Sequence, residues 1–228
     1  MTEQEILSQF PQNYTIQDAV RETMHHIKEE SEHGGRILVA ISGGSDSDIM
    51  MDIFERVGYP PGLVIYAWYD TGLEFEATKR HLDDLEAKYG IKIERRRPVM
   101  TVAQATKKYG VPFISKRTAM YITRLQQHGF QWEDTNLEDS LNKYGRCMSA
   151  LKWWYEGYGP GRFSIRELAG LKEFMMQNPP PKISDKCCDY AKKHPAKHAI
   201  KEFGATLNVV GVRKHEGGES PYLPLMFQ

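Results

Sequence analysis

Residues 42–47 read Ser42-Gly43-Gly44-Ser45-Asp46-Ser47, three hydroxyls, two glycines and a carboxylate in six positions. Hydroxyls and backbone N–H groups hold phosphate oxygens, and glycines let the backbone take positive φ and come close to a ligand. That is the chemistry of a phosphate cradle. A strand-turn-helix whose Ser or Asp only caps the helix has a similar composition, so the flanks matter. Before the turn, residues 38–41 are apolar without alternation, as in a strand buried on both faces of a parallel sheet. After it, Ile49, Met50, Ile53, Phe54 and Val57 form the apolar stripe of a helix beginning near Ser47 or Asp48. The unpaired N–H groups at that helix start would face an anion. The turn lacks both the P-loop pattern and the G-x-G-x-x-G dinucleotide fingerprint.

Two further polar, glycine-bearing segments follow strand-like runs. Asp70-Thr71-Gly72 closes a strand predicted over 63–69, and a run from Gly211 through Arg213 to Gly218 follows a strand predicted over 207–212. Each is explicable as a turn. Ligands of open parallel sheets sit beyond the carboxyl ends of the strands, so the three together outline one nucleotide pocket. Arg213 offers a bidentate clamp for phosphate or sulfate, which lysine cannot. Lys116, Lys152, Lys192 and Lys193 are candidate point charges for the same anion, and each also reads as a solvated surface lysine.

The elements that must position these groups alternate. A leading helix, with Thr15 and Asp18 at its start, runs to about residue 30 and carries Ile16, Val20, Met24 and Ile27 on the face expected at the sheet edge. His25 and His26 point about 100° apart on it, as solvated histidines do. A helix over 74–89, a strand over 91–93 running into Arg95-Arg96-Arg97, and helices over 102–109 and 115–128 continue a parallel α/β rhythm. The expected organisation is a helical lead-in (1–34), a nucleotide-binding core (35–128), a helical insertion covering the site without a sizeable core of its own (129–204), and a final strand, loop and tail (205–228).

The 228 residues carry 30 Lys plus Arg against 30 Asp plus Glu, so no global field advertises a polyanion. Lys107-Lys108, the arginine run and the exposed-looking Trp153-Trp154 are better read as pocket charges and packing than as a nucleic-acid surface. No apolar stretch reaches the ~20 residues that span a bilayer, and the start resembles no signal peptide; a cytoplasmic protein without a membrane partner is expected. Three cysteines, Cys147, Cys187 and Cys188, do not describe a disulfide framework. Packing, metal, cluster and redox roles stay open for them.

Ser42 to Ser47 resembles the S-G-G-x-D-S loop of the PP-loop superfamily, the adenine nucleotide alpha-hydrolases. Tyr69-Asp70-Thr71-Gly72-Leu73-Glu74-Phe75 is similar to the D-T-G-x-x-[FY] segment of its phosphoadenylyl-sulfate (PAPS) reductase family, and Gly211-Val212-Arg213-Lys214-His215-Glu216 to that family's G-x-R-x-x-E/Q segment. Cys147 to Lys152 resembles a C-x-x-x-L-K element, and Cys187 to Lys192 falls in a C-C-x-x-x-K element. The resemblance implies an α/β fold, a Rossmann-like parallel sheet flanked by helices with a helical insertion. It implies phosphate contacts from Ser42, Gly43, Gly44, Ser45 and Ser47, with Asp46 shaping the loop or helping to hold Mg²⁺. It places adenine near Ala40 and Tyr69, and Asp70 and Gly72 near the ribose or metal.

The implied activity is an oxidoreductase or sulfurtransferase acting on PAPS, with Cys187, Cys188 and Arg213 as catalytic residues and a thiol donor protein such as thioredoxin as partner. Reductases of the family attack with a cysteine near the C-terminus, and here none follows Cys188. The Cys187-Cys188 pair lacks the later C-x-x-C that completes a [4Fe–4S] cluster in some members. A cluster held by Cys147, Cys187 and Cys188 with one open iron, a remnant pair, a second copy or partner chain completing the site, a shortened family member, and buried reduced thiols are the readings left. An ATP pyrophosphatase that adenylates an acceptor, and a nucleotide-binding module without catalysis, are the alternatives.

Overall fold

The computed structural model describes residues 2–134, 136–157, 164–168, 170–177 and 179–211. By its internal contacts the chain divides into two units, residues 1–99 with 191–228, and residues 100–190.

The first unit opens with helices α1 (Glu3–Leu7) and α2 (Tyr14–Glu32). Strand β1 (Ile37–Ile41), helix α3 (Ser45–Val57), strand β2 (Val64–Tyr69), helix α4 (Glu76–Tyr89) and strand β3 (Ile93–Arg96) follow. All strand pairings are parallel, in the order β3-β2-β1-β4, where β4 is Leu207–Val210. Period-2 alternation assigns β1 side chains to two faces. Ile37, Val39 and Ile41 join the larger core with Met50, Ile53 and Phe54 of α3 and Leu82 and Leu85 of α4. Leu38 joins Ala67 of β2 and Ala199 of the last helix in a smaller core on the other face. Helices on both faces explain why the central strands are apolar throughout.

Several boundaries differ from those read on the sequence. Helix α2 is capped by the Asn13 side chain, two residues earlier than expected, and packs on α3 instead of the sheet edge. Helix α3 begins at Ser45, so half of the expected turn is already helix. Strand β3 includes Arg95 and Arg96, which are structural cations. Arg95 pairs with Asp83 and, at 2.7 Å, with Glu86, while Arg96 makes two 2.9 Å bonds to Glu202.

The second unit contains α5 (Val102–Tyr109), α6 (Lys116–Gln127), α7 (Leu137–Tyr144), α8 (Met148–Glu156), α9 (Leu171–Met175) and the single turn α10 (Lys186–Cys188). The expected insertion over 129–204 thus differs from the unit observed, which takes in α5 and α6 and has a core of its own. Ile122, Leu125, Leu151, Met175, Trp153 and Trp154 are buried together, the two tryptophans at 1% and 2% exposure. The tryptophans are therefore packing residues, not an exposed surface. A π-helical turn (Asp189–Lys193) precedes α11 (His194–Phe203), the helix that packs on β2 beneath the smaller core. Among the described residues no helix is long and apolar enough to cross a membrane.

Candidate nucleotide site

The chain runs outward from β1 through β2 to β3 and then returns to the opposite side of β1 as β4. A crevice opens where strand order reverses, at the carboxyl ends of β1 and β4. There the first unit holds a cavity of about 370 Å³, lined by Ala40, Ile41, Ser42 and Ser47 on one side and Val210 and Gly211 on the other. Trp68, Tyr69, Glu74 and Lys192 complete the described lining.

The loop is built by its small residues. Gly43 has φ +76°, and a Cβ there would stand 2.7 Å from the Thr78 methyl group. A side chain would be strained twice, by conformation and by contact. Ser42 Oγ accepts the Gly44 N–H at 3.3 Å and donates to Ser47 Oγ at 3.2 Å, while Ser47 Oγ donates to the Gly44 carbonyl at 2.8 Å. Gly44 is the N-cap of α3 and provides no side-chain cap. First-turn amides of an uncapped helix are an anion site. Gly211 lets β4 end against this turn, since a Cβ there would lie 3.3 Å from the Asp46 carbonyl carbon.

At the neighbouring strand end, Asp70 Oδ1 accepts the Gly72 N–H at 2.8 Å, with Gly72 at φ +81°. Thr71 Oγ1 donates to Glu74 at 2.8 Å, which fixes the one carboxylate of the described lining. The Tyr69 hydroxyl is buried and has no partner among the described residues. Burial pushes its pKa up, partly offset by Arg96, so it remains a proton donor at neutral pH. Lys192, the one cation of the described lining, comes from the π-helical turn, a feature frequent at functional sites.

Of the residues expected at the site, Ser42, Ser47 and Lys192 line the cavity, and Gly43, Gly44, Ser45 and Asp46 form the turn beside it. Asp70 and Gly72 shape the next strand end. Arg213 lies outside the described residues. Lys116, at the start of α6, and Lys152, in α8, belong to the second unit and are absent from this lining. Trp68 and Glu74 were missed as site residues. Trp68 is 3% exposed and reads as core by its strand position, and Glu74 was quoted only as part of a motif.

The thiols also belong to the second unit. Cys147 is buried, and its Sγ donates to the Tyr144 carbonyl at 3.2 Å. Burial pushes this thiol's pKa up, the reverse of what a ligating thiolate needs. Cys187 and Cys188 are half-buried in α10. No group of three His, Cys, Asp or Glu residues able to hold a metal occurs among the described residues, so the three cysteines do not assemble the expected ligand set.

Residues 36–144, which run from the start of β1 to the end of α7, match the family model of the phosphoadenosine phosphosulfate reductase domain. This stretch is similar to a phosphoadenosine phosphosulfate reductase domain. The domain belongs to the PP-loop/adenine nucleotide alpha-hydrolase superfamily, in agreement with the parallel sheet and its loop. An uncharacterized protein of Methanocaldococcus jannaschii is 36% identical to the chain over 110 residues. The shared segment amounts to 48% of this chain and 22% of that protein. The reductase-domain match ends before α8, so Cys147, Cys187, Cys188 and Lys192 lie beyond it.

Proposed function

We propose that the strand-end cavity binds an adenine nucleotide and that the chain is an enzyme acting on a sulfonucleotide such as PAPS, by reduction or sulfur transfer. The observation that carries this reading is the hydroxyl-lined turn leading into the uncapped N-terminus of α3, set at the reversal of strand order. The turn amides and the Ser42 hydroxyl hold phosphate oxygens. Lys192 adds a point charge, and the Tyr69 hydroxyl supplies a donor in a site walled by Trp68. Arg213 clamps a second anionic group of the nucleotide.

Asp46, in the first turn of α3, and Asp70, after β2, are the residues that would hold Mg²⁺. Carboxylate oxygens are the hard donors Mg²⁺ takes, one or two of them beside substrate phosphates and waters. Bound there, Mg²⁺ offsets phosphate charge. The three thiols do not assemble a [4Fe–4S] ligand set among the described residues, and no step is assigned to a cluster.

Reduction of PAPS to sulfite takes two electrons, which a dithiol donor supplies in becoming a disulfide. Cys187 and Cys188 are the thiols proposed to relay them, with thioredoxin or a similar protein as the donor. A second reading is favoured by one observation: no thiol occurs in the described lining. In that reading the same turn holds the pyrophosphate of ATP while an acceptor attacks the α-phosphorus.

Incubation with PAPS and a dithiol should yield sulfite and adenosine 3′,5′-bisphosphate, and Ser42→Ala and Lys192→Gln should each lower kcat/KM by about tenfold or more. Turnover unchanged in Cys187→Ser and Cys188→Ser would remove these thiols from the reaction. Acceptor-dependent pyrophosphate release from ATP, without sulfite from PAPS, would transfer the assignment to the pyrophosphatase reading.

A further inference from the structure

The second unit has a cavity of its own, about 630 Å³, that shares no lining residue with the strand-end site. Its size lies in the range of small-molecule sites. Among the described residues three lysines line it, Lys108, Lys182 and Lys186, and no aspartate or glutamate does. Lys186 has Asp189 at 3.9 Å, a long contact; Lys108 and Lys182 are solvent-exposed. A cavity with three cations and no lining anion is poised for a multiply charged anion.

The remaining wall joins polar and small residues to four aromatic ones, Tyr109, Phe130, Trp132 and Tyr190. Tyr109 and Tyr190 stack at 5.3 Å with their planes 4° apart, and their hydroxyls share a 2.8 Å hydrogen bond. That bond, with one from Lys108, holds the Tyr109 phenol below its usual pKa. Phe130 and Trp132 add two more rings to the lining, edge to face at 5.3 Å. Gln126 is locked between the Pro181 carbonyl, to which its Nε2 donates at 2.7 Å, and the Ile183 N–H, which its Oε1 accepts at 3.2 Å.

The two lysine-bearing segments are tied backbone to backbone. Val111 N–H donates to the Lys182 carbonyl at 3.2 Å, and Ser184 N–H to the Val111 carbonyl at 3.0 Å. Gly110 makes the approach possible, because a Cβ there would meet the Lys182 carbonyl oxygen at 2.3 Å. The cationic and aromatic groups are thus presented by a fixed frame, which lowers the ordering cost of binding.

We infer that this cavity is a second binding site, for a phosphate-bearing nucleotide whose base meets the aromatic wall and whose phosphates meet Lys108, Lys182 and Lys186. Free nucleotides and the nucleotides of a single strand share that chemistry. The test uses the full chain with two probes, uridine 5′-monophosphate and a fluorescein-labelled decamer of uridylate, each titrated against wild type, Lys108→Glu/Lys182→Glu and Ser42→Ala/Lys192→Gln. The expected result is binding to wild type, about tenfold or more weaker in the charge-reversed variant and unchanged in the strand-end variant. Lys108→Gln/Lys182→Gln, with circular dichroism, separates lost charge from lost fold and should weaken binding to an intermediate degree.

A decamer that binds at least about tenfold tighter than the monophosphate, with log K falling against log salt at a slope near −2, identifies a strand as the source, since three phosphate contacts at about 0.7 each give that slope. Equal affinities identify the free nucleotide. Either keeps the site. Absence of binding by both probes up to about 1 mM, affinity indifferent to charge reversal, or equal loss in the strand-end variant would each overturn the proposal. None of these outcomes touches the sulfonucleotide assay, so the two readings fail separately.

Discussion

Gly43 shows how tightly one residue type is demanded. Its φ of +76° and the 2.7 Å approach of the Thr78 methyl group leave no room for a β-branched side chain. Gly43→Val should cost about 1–3 kcal/mol of stability and abolish nucleotide binding, as denaturant titration and calorimetry would read. An unchanged unfolding midpoint would contradict the loop geometry. Ser42 and Ser47 stand out in the sequence because hydroxyls and glycines directly follow a buried strand, whereas Lys192 reads equally as a solvated lysine and only its place in the cavity lining separates it from Lys116 and Lys152. Trp68 does not stand out, because a tryptophan in a buried strand has the same appearance whether or not it borders a cavity.

Cys147 gives a second test at this scale. Its buried thiol stays protonated where an exposed thiol begins to ionise. A folded-state pKa raised above the unfolded value means that the unfolded chain loses its proton first, so this residue's contribution to stability is present below the ordinary thiol range and declines as pH rises past it. Disulfide reagents at pH 8 should label Cys187 and Cys188 rapidly and Cys147 only after denaturation. Equal labelling rates for all three would show Cys147 to be accessible.

Among the elements, β3 departs most from its sequence reading. Arg95 and Arg96 lie within the strand because parallel pairing with Trp68 and Tyr69 extends it, and strand pairing is a long-range property. Arg96 also stacks over the Phe203 ring, 4.6 Å from its centroid, which joins β3 to α11. Hydrogen bonding from Arg96 holds the Glu202 carboxyl below its usual range. The sign for a depressed carboxylate is fixed: the contribution is present above the unfolded pKa and is lost as pH falls through the folded one. Acid unfolding of wild type should accordingly begin at lower pH than that of Arg96→Ala, with the two curves converging at the most acidic end. Parallel curves with a constant offset would leave Glu202 out of the effect.

Helix α3 carries a related lesson. Apolar periodicity located its body, but its start at Ser45 depends on Gly44 acting as an N-cap without a side chain, for which the sequence has no cap signal to read.

For the whole molecule, the organisation into two units is the main consequence of packing. The second unit buries Leu151 and Ile122 completely, in a cluster that lies wholly within its own residues. Leu151→Ala should cost about 2–5 kcal/mol, and hydrogen exchange should accelerate across α6, α7 and α8 while β1 and β2 stay protected. A uniform rise across both units would mean that the chain unfolds as one cooperative body.

The sequence alone determined the parallel α/β class, the glycine-serine turn between β1 and α3 and the likeness to the reductase-domain family, since buried strands, helical stripes and a short glycine-serine motif are all written in local order. Tertiary structure decided which strand ends meet, that Lys192 lines the same cavity as the turn, that Trp153 and Trp154 are core, and that Lys108 and Lys182 share one cavity. Those outcomes depend on contacts between residues far apart in the chain, and local periodicity carries no record of them.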